Sequence, residues 1–551
     1  MKKVIPFIII LSIIGSLIFY WSNKPNNQVI ALSDEIYLVI EDKVIGENNP
    51  VILEDKIIYL SYDIIKEYID PNLFYDEGEE TIIFTNKEKV KRYKIDSNKA
   101  SINNKEFYIT NLIKKIDNRV YIPLDIFIND YNIDISYFED TKAVVLDYKD
   151  NHYLQGETIL EGGHIRTDLD IKSPIILKDI LISTPLIVYA EYENWYRVRT
   201  YDGISGFIEK RYIKLNYTKD TFKVEIEDNQ QLSQNNPIIN LTWDYTYGKV
   251  KNTDNINFIP GINVISPTWF SITDNKGTIL DKGNFEYVVK YKELGYEIWP
   301  LINNNFDPDL THELLSSSSM REKLIKDIIN IYGEYGFQGI NLDFENVHLD
   351  DKDFLTQFVR ELYPIFKERG MKVSIDVTPI STSENWSLSF DRERLSETVD
   401  YIMLMAYDQH WASSPVAGSV AQYSWVEKSL IKVFEVIPKE KIILGVPFYS
   451  RLWKVENVDE TEKVSSQALS MESAKEFIEK NNIQLQWDEE SGQYYGETKK
   501  EDITYKIWLE DAKSLNLKAT LIHKYGLGGI ASWRKGFETI DVWNSIDGVL
   551  N

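Results

Sequence analysis

The stretch from residue 338 to residue 345 reads Gln-Gly-Ile-Asn-Leu-Asp-Phe-Glu. Apolar residues alternate with Asn341, Asp343 and Glu345, so in a β-strand the three polar side chains point to one face. A buried row of carboxyl groups is costly unless the groups are paired, hydrogen-bonded or used in chemistry. The pattern fits either an acid/base site at the carboxyl end of a barrel strand or an edge strand with one solvated polar face. The rest of the chain favours the first interpretation.

From about residue 219 to the end, strand-like segments alternate with helical ones, which is typical of parallel β/α units. Two helical segments, 318–335 and 353–369, have apolar residues at three- and four-residue spacing. Eight candidate strands are present: 238–247, 263–272, 297–303, 339–345, 372–378, 401–407, 441–448 and 529–533. The predicted fold class is therefore α/β, with a (β/α)8 TIM barrel over 219–551 and its largest insertion at about 454–505.

Polar and aromatic side chains collect at the carboxyl ends of the predicted strands, where such a barrel has its active face. The candidate site residues are Asn341, Asp343, Glu345, Tyr407, Asp408, Tyr449, Arg451 and Trp533. The surrounding sequence resembles family 18 glycoside hydrolases in four ordered motifs: Asn-Leu-Asp-Phe-Glu, Met-Ala-Tyr-Asp, Gly-Val-Pro-Phe-Tyr-Ser-Arg-Leu-Trp and Ser-Trp. Within that family the chain is most similar to N-acetylglucosaminidases of the bacterial wall and spore cortex.

The resemblance implies a role for most of these residues. Glu345 matches the general acid/base, and Asp343 matches the carboxylate that orients the 2-acetamido group of the substrate. Tyr407 matches the hydroxyl that binds the acetamido oxygen, and Asp408 is its neighbour in the same pocket. Trp533 matches the indole that lies under the sugar at the cleavage point. Asn341 is counted with the substrate-binding residues.

In this family the acetamido oxygen of the substrate attacks the anomeric carbon, so the protein needs one acid and one nearby anion. Glu345 and Asp343, about 6.6 Å apart along a strand, suit that division. Their proximity raises the pKa of one carboxyl group, which is expected to keep Glu345 protonated near neutral pH. Tyr449 and Arg451 either shape the cleft or serve only in packing and ion pairing.

Two residues depart from the commonest chitinase pattern, Asp-Gly-x-Asp-x-Asp-x-Glu. Gln338 and Asn341 occupy the positions of the first two Asp residues. Asn341 cannot share a proton with Asp343, although its amide can hydrogen-bond that carboxylate. We expect this to change the pH optimum and the rate more than the reaction, because Glu345 is retained. A non-catalytic relative is expected to have lost Glu345 instead.

Two smaller modules are predicted before the barrel. Within 35–148, the segment 58–65 is echoed by 120–127, which indicates a duplicated α+β module. It resembles the domain named after the N-terminal region of copper amine oxidases, but it has no copper ligands, so a spacer or adhesion role is expected. Residues 155–216 resemble a bacterial Src-homology-three-type (SH3-like) small β-barrel. There Trp195 belongs either to the core or to a site for wall peptides.

The N-terminus predicts export. Lys2 and Lys3 precede an uncharged apolar run, 4–21, which as a helix spans about 27 Å, close to the hydrocarbon thickness of a membrane. No small-residue cleavage pattern follows. Residues 1–27 are therefore expected to form a transmembrane signal anchor and linker, with the rest of the chain outside the cell. A cleaved signal peptide, giving a secreted protein, is the alternative.

The composition argues against several partners. The chain has 61 basic and 86 acidic residues and a net charge of −25, which disfavours binding to nucleic acid. It has no Cys, and its six His lack metal-ligand spacing, so no metal or other cofactor is expected. Three functions stay open: a membrane-tethered hydrolase of β-1,4 N-acetylglucosaminyl bonds in peptidoglycan, a chitinase or chitooligosaccharide hydrolase, and a non-catalytic chitin- or peptidoglycan-binding protein.

Overall fold

The computed structural model describes residues 24–46, 49–216, 237–248, 253, 256–458 and 461–551. They form two compact units: one comprises 1–73, 94–99 and 108–233 as far as described, and the other comprises 74–93, 100–107 and 234–551. The apolar run 4–21, where the sequence predicts a transmembrane helix, lies outside the described residues. Within the described ranges, no helix has the length and apolar character needed to cross a bilayer.

The larger unit contains a closed barrel of eight parallel strands at the eight predicted positions. The strands are Ile239–Asp244, Val264–Pro267 continued by Phe270–Ile272, Glu297–Ile298 continued by Leu301–Asn303, Gly339–Asp343, Lys372–Val377, Tyr401–Met405, Ile442–Pro447 and Gly529–Trp533. The eighth strand pairs with the first, with Ile239 opposite Gly529, and this closes the ring. A short strand, Ile279–Asp281, pairs antiparallel with Phe270–Ile272. The predicted (β/α)8 fold is confirmed.

Helices surround the barrel, between successive strands and after the eighth. They are Phe285–Glu293, Pro308–Leu315, Ser318–Tyr335, Lys352–Glu368, Arg392–Thr398, Tyr423–Val433, Ala512–Tyr525 and Ile540–Leu550. The predicted helix 318–335 has these bounds for local reasons. The Ser317 hydroxyl accepts a hydrogen bond from the Met320 N–H at its start, and Gly336 ends it in the left-handed region, at φ +67°.

The insertion after the seventh strand forms its own antiparallel layer. Its five strands lie in the order Thr461–Ser470, Tyr449–Val458, Ile503–Leu509, Gln493–Lys500 and Gln486–Asp488, with the helix Met471–Lys480. Buried Ile478, Ile507 and Leu509 belong to its apolar core. The strand Tyr449–Val458 of the insertion begins two residues after the seventh barrel strand ends at Pro447. The insertion therefore carries the candidate site residues Tyr449 and Arg451.

A five-stranded sheet also contributes to the larger unit. Its strands are Phe74–Asp76, Thr81–Thr85, Val90–Lys94, Lys99–Ile102 and Lys105–Tyr108. In sequence it lies within the 35–148 module, yet 74–93 and 100–107 pack with the barrel. Phe74 packs edge-on against Phe354 at 6.3 Å between ring centroids. Arg92 donates to the buried Glu361 at 2.8 Å. Apolar and ionic contacts thus both join this sheet to the outer face of the barrel.

Two acidic residues of this sheet lie at the start of helix Ser318–Tyr335. The backbone N–H of Ser318 donates to Asp76 Oδ2 at 2.7 Å, and that of Ser319 donates to Glu79 Oε2 at 3.1 Å. The first N–H groups of a helix have no partner within the helix and carry a partial positive charge. Partial burial acts to raise the pKa of Glu79, but hydrogen bonds from Ser317, Ser319 and Ser318 outweigh it and hold the pKa below its usual value.

The smaller unit contains the two echoed segments of the predicted duplication. One sheet has the order Ile133–Phe138, Ala143–Tyr148, Tyr37–Ile40 and Lys43–Val44; a second has Lys114–Ile116, Arg119–Pro123, Ile57–Ser61 and Val51–Glu54. The two echoed segments pair with each other, with Leu60 opposite Ile122. The helix Tyr62–Tyr68 follows the first copy, and a 3-10 turn, Leu124–Ile126, follows the second.

The remaining strands of this unit form a seven-stranded antiparallel sheet. Their order is Ile175–Ile180, Gly163–Arg166, Ser205–Glu209, Trp195–Thr200, Pro185–Glu191, Leu154–Thr158 and Ile213–Asn216. Trp195 is only 8% exposed. Of the two interpretations of Trp195, burial favours the core residue over a wall-peptide site.

Candidate active site

The fourth barrel strand, Gly339–Asp343, is buried along its length and places Asn341 and Asp343 inside the barrel. The amide of Asn341 is fixed at both ends. Its Oδ1 accepts from Trp243 Nε1 at 2.7 Å, and its Nδ2 donates to Asp376 Oδ1 at 2.7 Å. The amide does not make the hydrogen bond to Asp343 that its chemistry allows: its hydrogens are directed to the fifth strand, where the Ser374 hydroxyl accepts a second bond at 3.3 Å.

Glu345 follows the strand and is held through its backbone. Its N–H donates to Asn304 Oδ1 at 3.2 Å, and its carbonyl accepts from Asn304 Nδ2 at 2.8 Å. Asn304 follows the third strand, is 1% exposed, and also donates to Thr311 Oγ1 at 2.9 Å. The reciprocal amide contact fixes the backbone from which the Glu345 carboxyl projects. Sequence reasoning did not select Asn304, although Asn304 and Asn305 directly follow a predicted strand that ends at Asn303.

The carboxyl groups of Asp343 and Glu345 lie within hydrogen-bonding reach of each other. Burial raises the pKa of Asp343 to about 7. Burial and the neighbouring Asp343 raise the pKa of Glu345 well above its usual value. Two close carboxyl groups in a site shielded from water retain a proton between them near neutral pH. The arrangement can supply one protonated acid and one carboxylate on the same face.

A third carboxyl group, Asp376 on the fifth strand, joins this cluster. It is 1% exposed. Burial first, and then the charge of Asp343, raise its pKa well above the usual value, against the hydrogen bond from Asn341. Sequence reasoning missed Asp376. A signal was present, because Ser374 and Asp376 alternate with apolar residues in a strand whose neighbour carries the predicted acids.

Tyr407 and Asp408 follow the sixth strand. Burial raises the pKa of Tyr407 well above its usual value, and the nearby Asp376 adds to the effect, so its hydroxyl stays protonated and can donate. Asp408 has a left-handed backbone, at φ +56°. Its Oδ1 accepts from Tyr449 OH at 2.6 Å and from Arg451 Nη2 at 2.8 Å. Tyr449 and Arg451 therefore hold Asp408; an ion pair is among the roles expected for them, and their part in shaping the cleft stays a prediction.

Trp533 ends the eighth strand. Its ring centroid lies 6.0 Å from that of Trp243, which donates to Asn341, and 6.2 Å from that of Tyr245. Further aromatic side chains that follow barrel strands are exposed: Tyr247 at 82%, Trp411 at 52%, Trp386 at 44% and Phe306 at 43%. Exposed aromatic faces can stack on the apolar faces of sugars.

In the part of the chain that the structure describes, no group of three or more His, Asp or Glu is placed to hold a metal ion.

Comparisons with known proteins agree with this geometry. Residues 272–537 match the model of the glycosyl hydrolases family 18, and residues 39–146 match that of the copper amine oxidase N-terminal domain. An uncharacterized glycosylase of Bacillus subtilis is 23% identical over 319 residues, which are 56% of this chain and 90% of that protein. The cortical fragment-lytic enzyme of Bacillus subtilis is 26% identical over 247 residues, 44% of this chain and 57% of that enzyme.

Solved structures show the same fold. A chitinase from Chromobacterium violaceum aligns with a TM-score of 0.50 at 20% identity, covering 57% of this chain and 99% of the chitinase. The spore cortex-lytic enzyme of Bacillus cereus aligns with a TM-score of 0.50 at 18% identity, covering 68% of this chain and 90% of that enzyme. At these identities the likeness concerns the fold.

Proposed function

The chain carries a family 18 glycoside hydrolase domain and is a glycosidase, and from this premise we propose that it cleaves β-1,4 N-acetylglucosaminyl bonds of peptidoglycan by substrate-assisted, retaining hydrolysis. The observation that carries the proposal is the pair Asp343 and Glu345, with both pKa values raised. The similarity to the cortical fragment-lytic enzyme supports peptidoglycan as the substrate.

In the proposed reaction, protonated Glu345 gives its proton to the oxygen of the leaving sugar. The acetamido oxygen of the substrate attacks the anomeric carbon as the glycosidic bond breaks, which forms an oxazolinium ion. The Asp343 carboxylate faces the acetamido nitrogen and stabilises the positive charge, while the Tyr407 hydroxyl positions the acetamido oxygen. Glu345, now ionised, takes a proton from a water molecule, whose oxygen attacks the anomeric carbon. This attack reopens the oxazolinium ring and leaves the anomeric carbon with its original configuration.

The aromatic residues fit the binding of a sugar chain. Trp533 offers an indole face at the end of the eighth strand, and Asp408, which follows the sixth strand, offers a carboxylate held by Tyr449 and Arg451. We further propose that the apolar run 4–21 keeps the enzyme on the membrane, facing the wall. Lys2 and Lys3 before the run support that orientation.

The test uses the full chain in detergent and purified peptidoglycan, with Glu345→Gln as the matched inactive control. Mass spectrometry of the released fragments reads the reducing-end sugar. N-acetylglucosamine at the reducing end, absent with the control, is the expected result. N-acetylmuramic acid at that end contradicts the proposed bond. Release from chitooligosaccharides but not from peptidoglycan establishes the chitinase alternative, and binding without release from either polymer establishes the sugar-binding protein.

A further inference from the structure

The carboxyl cluster leaves one atom of Asp343 without a partner. Oδ1 of Asp343 is shielded from solvent and accepts no hydrogen bond from any residue that the structure describes. A buried acceptor without a donor costs about 1–3 kcal/mol. Solvent does not reach Oδ1, so in the free enzyme its donor has to be a neighbouring group of the protein. Glu345 lies within reach of the same carboxyl group, but its proton is the one that the proposed reaction gives to the leaving sugar, so a lasting donor has to be another group. Asn341, the nearest amide on the same strand face, is engaged elsewhere, since both its hydrogens are directed to the fifth strand.

Strand register places Asp376 next to Asp343 in the sheet. On the adjacent parallel strands, Asn341 lies opposite Ser374 and Leu342 lies opposite Ile375, so the next residues, Asp343 and Asp376, are also neighbours. Strands in a sheet lie about 4.8 Å apart, and residues of equal parity point to the same face. The bond from Asn341 to Asp376 shows that this common face is the barrel interior.

We propose that Asp376 takes the place of the carboxyl group missing at position 341: it holds a proton and donates it in a hydrogen bond to Oδ1 of Asp343. Asn341 then has a defined part, because its Nδ2 occupies Oδ1 of Asp376 and leaves the other oxygen for the proton. The carboxyl group has moved from the fourth strand to the fifth, and the pair with Asp343 is kept. Asp376 is thus a positioning residue. This inference rests on the proposed function only in its kinetic consequence.

The surroundings of Asp376 suit a protonated acid. The titratable groups that face it are Asp343 and Glu345 from the fourth strand and its extension, and Tyr407 from the end of the sixth. All three are acids, and no Lys or Arg contributes to the pKa of Asp376 within the described chain. A neutral Asp376 therefore costs less than an ionised one. Its donated hydrogen bond favours the ionised form of Asp343, which is the form that the reaction uses.

The inference predicts the pH profile of kcat. The acidic limb reports the group that must be ionised in the substrate complex, here Asp343. Asp376→Ala removes the donor, so this limb should move to higher pH by about one unit, with kcat roughly 10-fold lower. Asp376→Asn keeps size and an N–H donor, so its limb should stay near that of the wild type. An unchanged limb in Asp376→Ala overturns the inference, as does a shift to lower pH, which indicates an ionised Asp376.

A relocation test asks whether a carboxyl group is what matters. Asn341→Asp combined with Asp376→Ala restores one carboxyl group beside Asp343, so the double variant should regain most of the rate lost by Asp376→Ala alone. A double variant no faster than Asp376→Ala contradicts the proposed relocation. Thermal unfolding of each variant shows whether a lost rate reflects lost folding, and Asp376→Asn keeps the test valid if Asp376→Ala does not fold.

A readout independent of activity separates this inference from the proposed function. In protein labelled with ¹³C at the Asp carboxyl carbons, the Asp343 signal is identified by its absence in Asp343→Asn. Its titration midpoint should rise in Asp376→Ala and stay in place in Asp376→Asn. A wild type that hydrolyses no glycan overturns the proposed function, while this titration still decides the role of Asp376.

Discussion

Glu345 and Glu361 are two glutamates of the same barrel, the first partly buried and the second fully buried, with opposite electrostatic surroundings. Glu361, on helix Lys352–Glu368, accepts from Arg321 at 2.9 Å and from Arg92 at 2.8 Å. Burial acts to raise its pKa, but the two guanidinium groups outweigh burial and lower it. For Glu345, burial and Asp343 act in the same direction and raise the pKa. The sign of the neighbouring charges, rather than burial, separates a structural acid from a reactive one.

The two regions respond to pH in opposite ways. The lowered pKa of Glu361 means that its pairing stabilises the fold above the unfolded value of about 4.3, and that this stability is lost as pH falls through the folded value. The raised pKa of Asp343 means the reverse. Its contribution is fully present below about 3.9 and is lost as pH rises through about 7. Raising the pH therefore strengthens the pairing of Glu361 with Arg321 and Arg92, while the ionisation of buried Asp343 lowers the stability of the fold.

The largest expected effect concerns Glu345. Glu345→Gln keeps size and hydrogen-bonding capacity but cannot deliver a proton, so turnover should fall by about 10²–10⁴-fold. The fold and sugar binding should remain, because the backbone of residue 345 is held by Asn304. Initial rates on a soluble muroglycan measure the loss of turnover, and the melting temperature shows whether the fold is retained. Equal rates in variant and wild type contradict the catalytic assignment.

The second prediction concerns the stability of the fold and leaves activity unchanged. Glu361→Gln leaves Arg321, which is fully buried, without its counter-charge, so the free energy of unfolding should drop by about 3–5 kcal/mol at pH 7. The cost should hold down to about pH 4.3 and shrink as the pH falls further, through the lowered pKa of Glu361. Urea unfolding measures it, and turnover per folded molecule should be unchanged.

Glu368→Gln is the matched control for that variant. Glu368 pairs with Lys105 on the surface, with exposed fractions of 44% and 76%, so its loss should cost less than about 1 kcal/mol. If the two variants lose equal stability, the contrast between buried and exposed pairing is wrong.

The third prediction is the smallest and has the opposite sign. Asp343→Asn removes a buried acid that is forced to ionise, so at pH 8 the variant should be more stable than the wild type by about 2–4 kcal/mol. The gain should vanish below pH 4, while activity is severely reduced at every pH. Paired unfolding curves at pH 4 and pH 8 check it. A variant less stable than the wild type at pH 8 shows that Asp343 is not strained.

The barrel and the acid pair could be predicted because both depend on short-range pattern. Alternating residues around Asp343 define a strand face, and the eight apolar segments define the ring. What sequence could not supply is register. Only strand alignment shows that Asn341 bonds Asp376 and not Asp343. The pair Arg92 and Glu361 spans 269 positions, so no local periodicity points to it.

The docking of the sheet 74–107 on the barrel also has a consequence in time. A chain synthesised at 5–20 residues per second makes Glu361 roughly 15–50 s after Arg92. The first barrel strand, Ile239–Asp244, waits a similar interval for its neighbour Gly529–Trp533. Until then, strand edges and apolar faces at both ends of this unit have no permanent partner, which is the condition under which chains aggregate. The yield of folded protein therefore depends on how long the nascent chain stays protected, as well as on the strength of its final contacts.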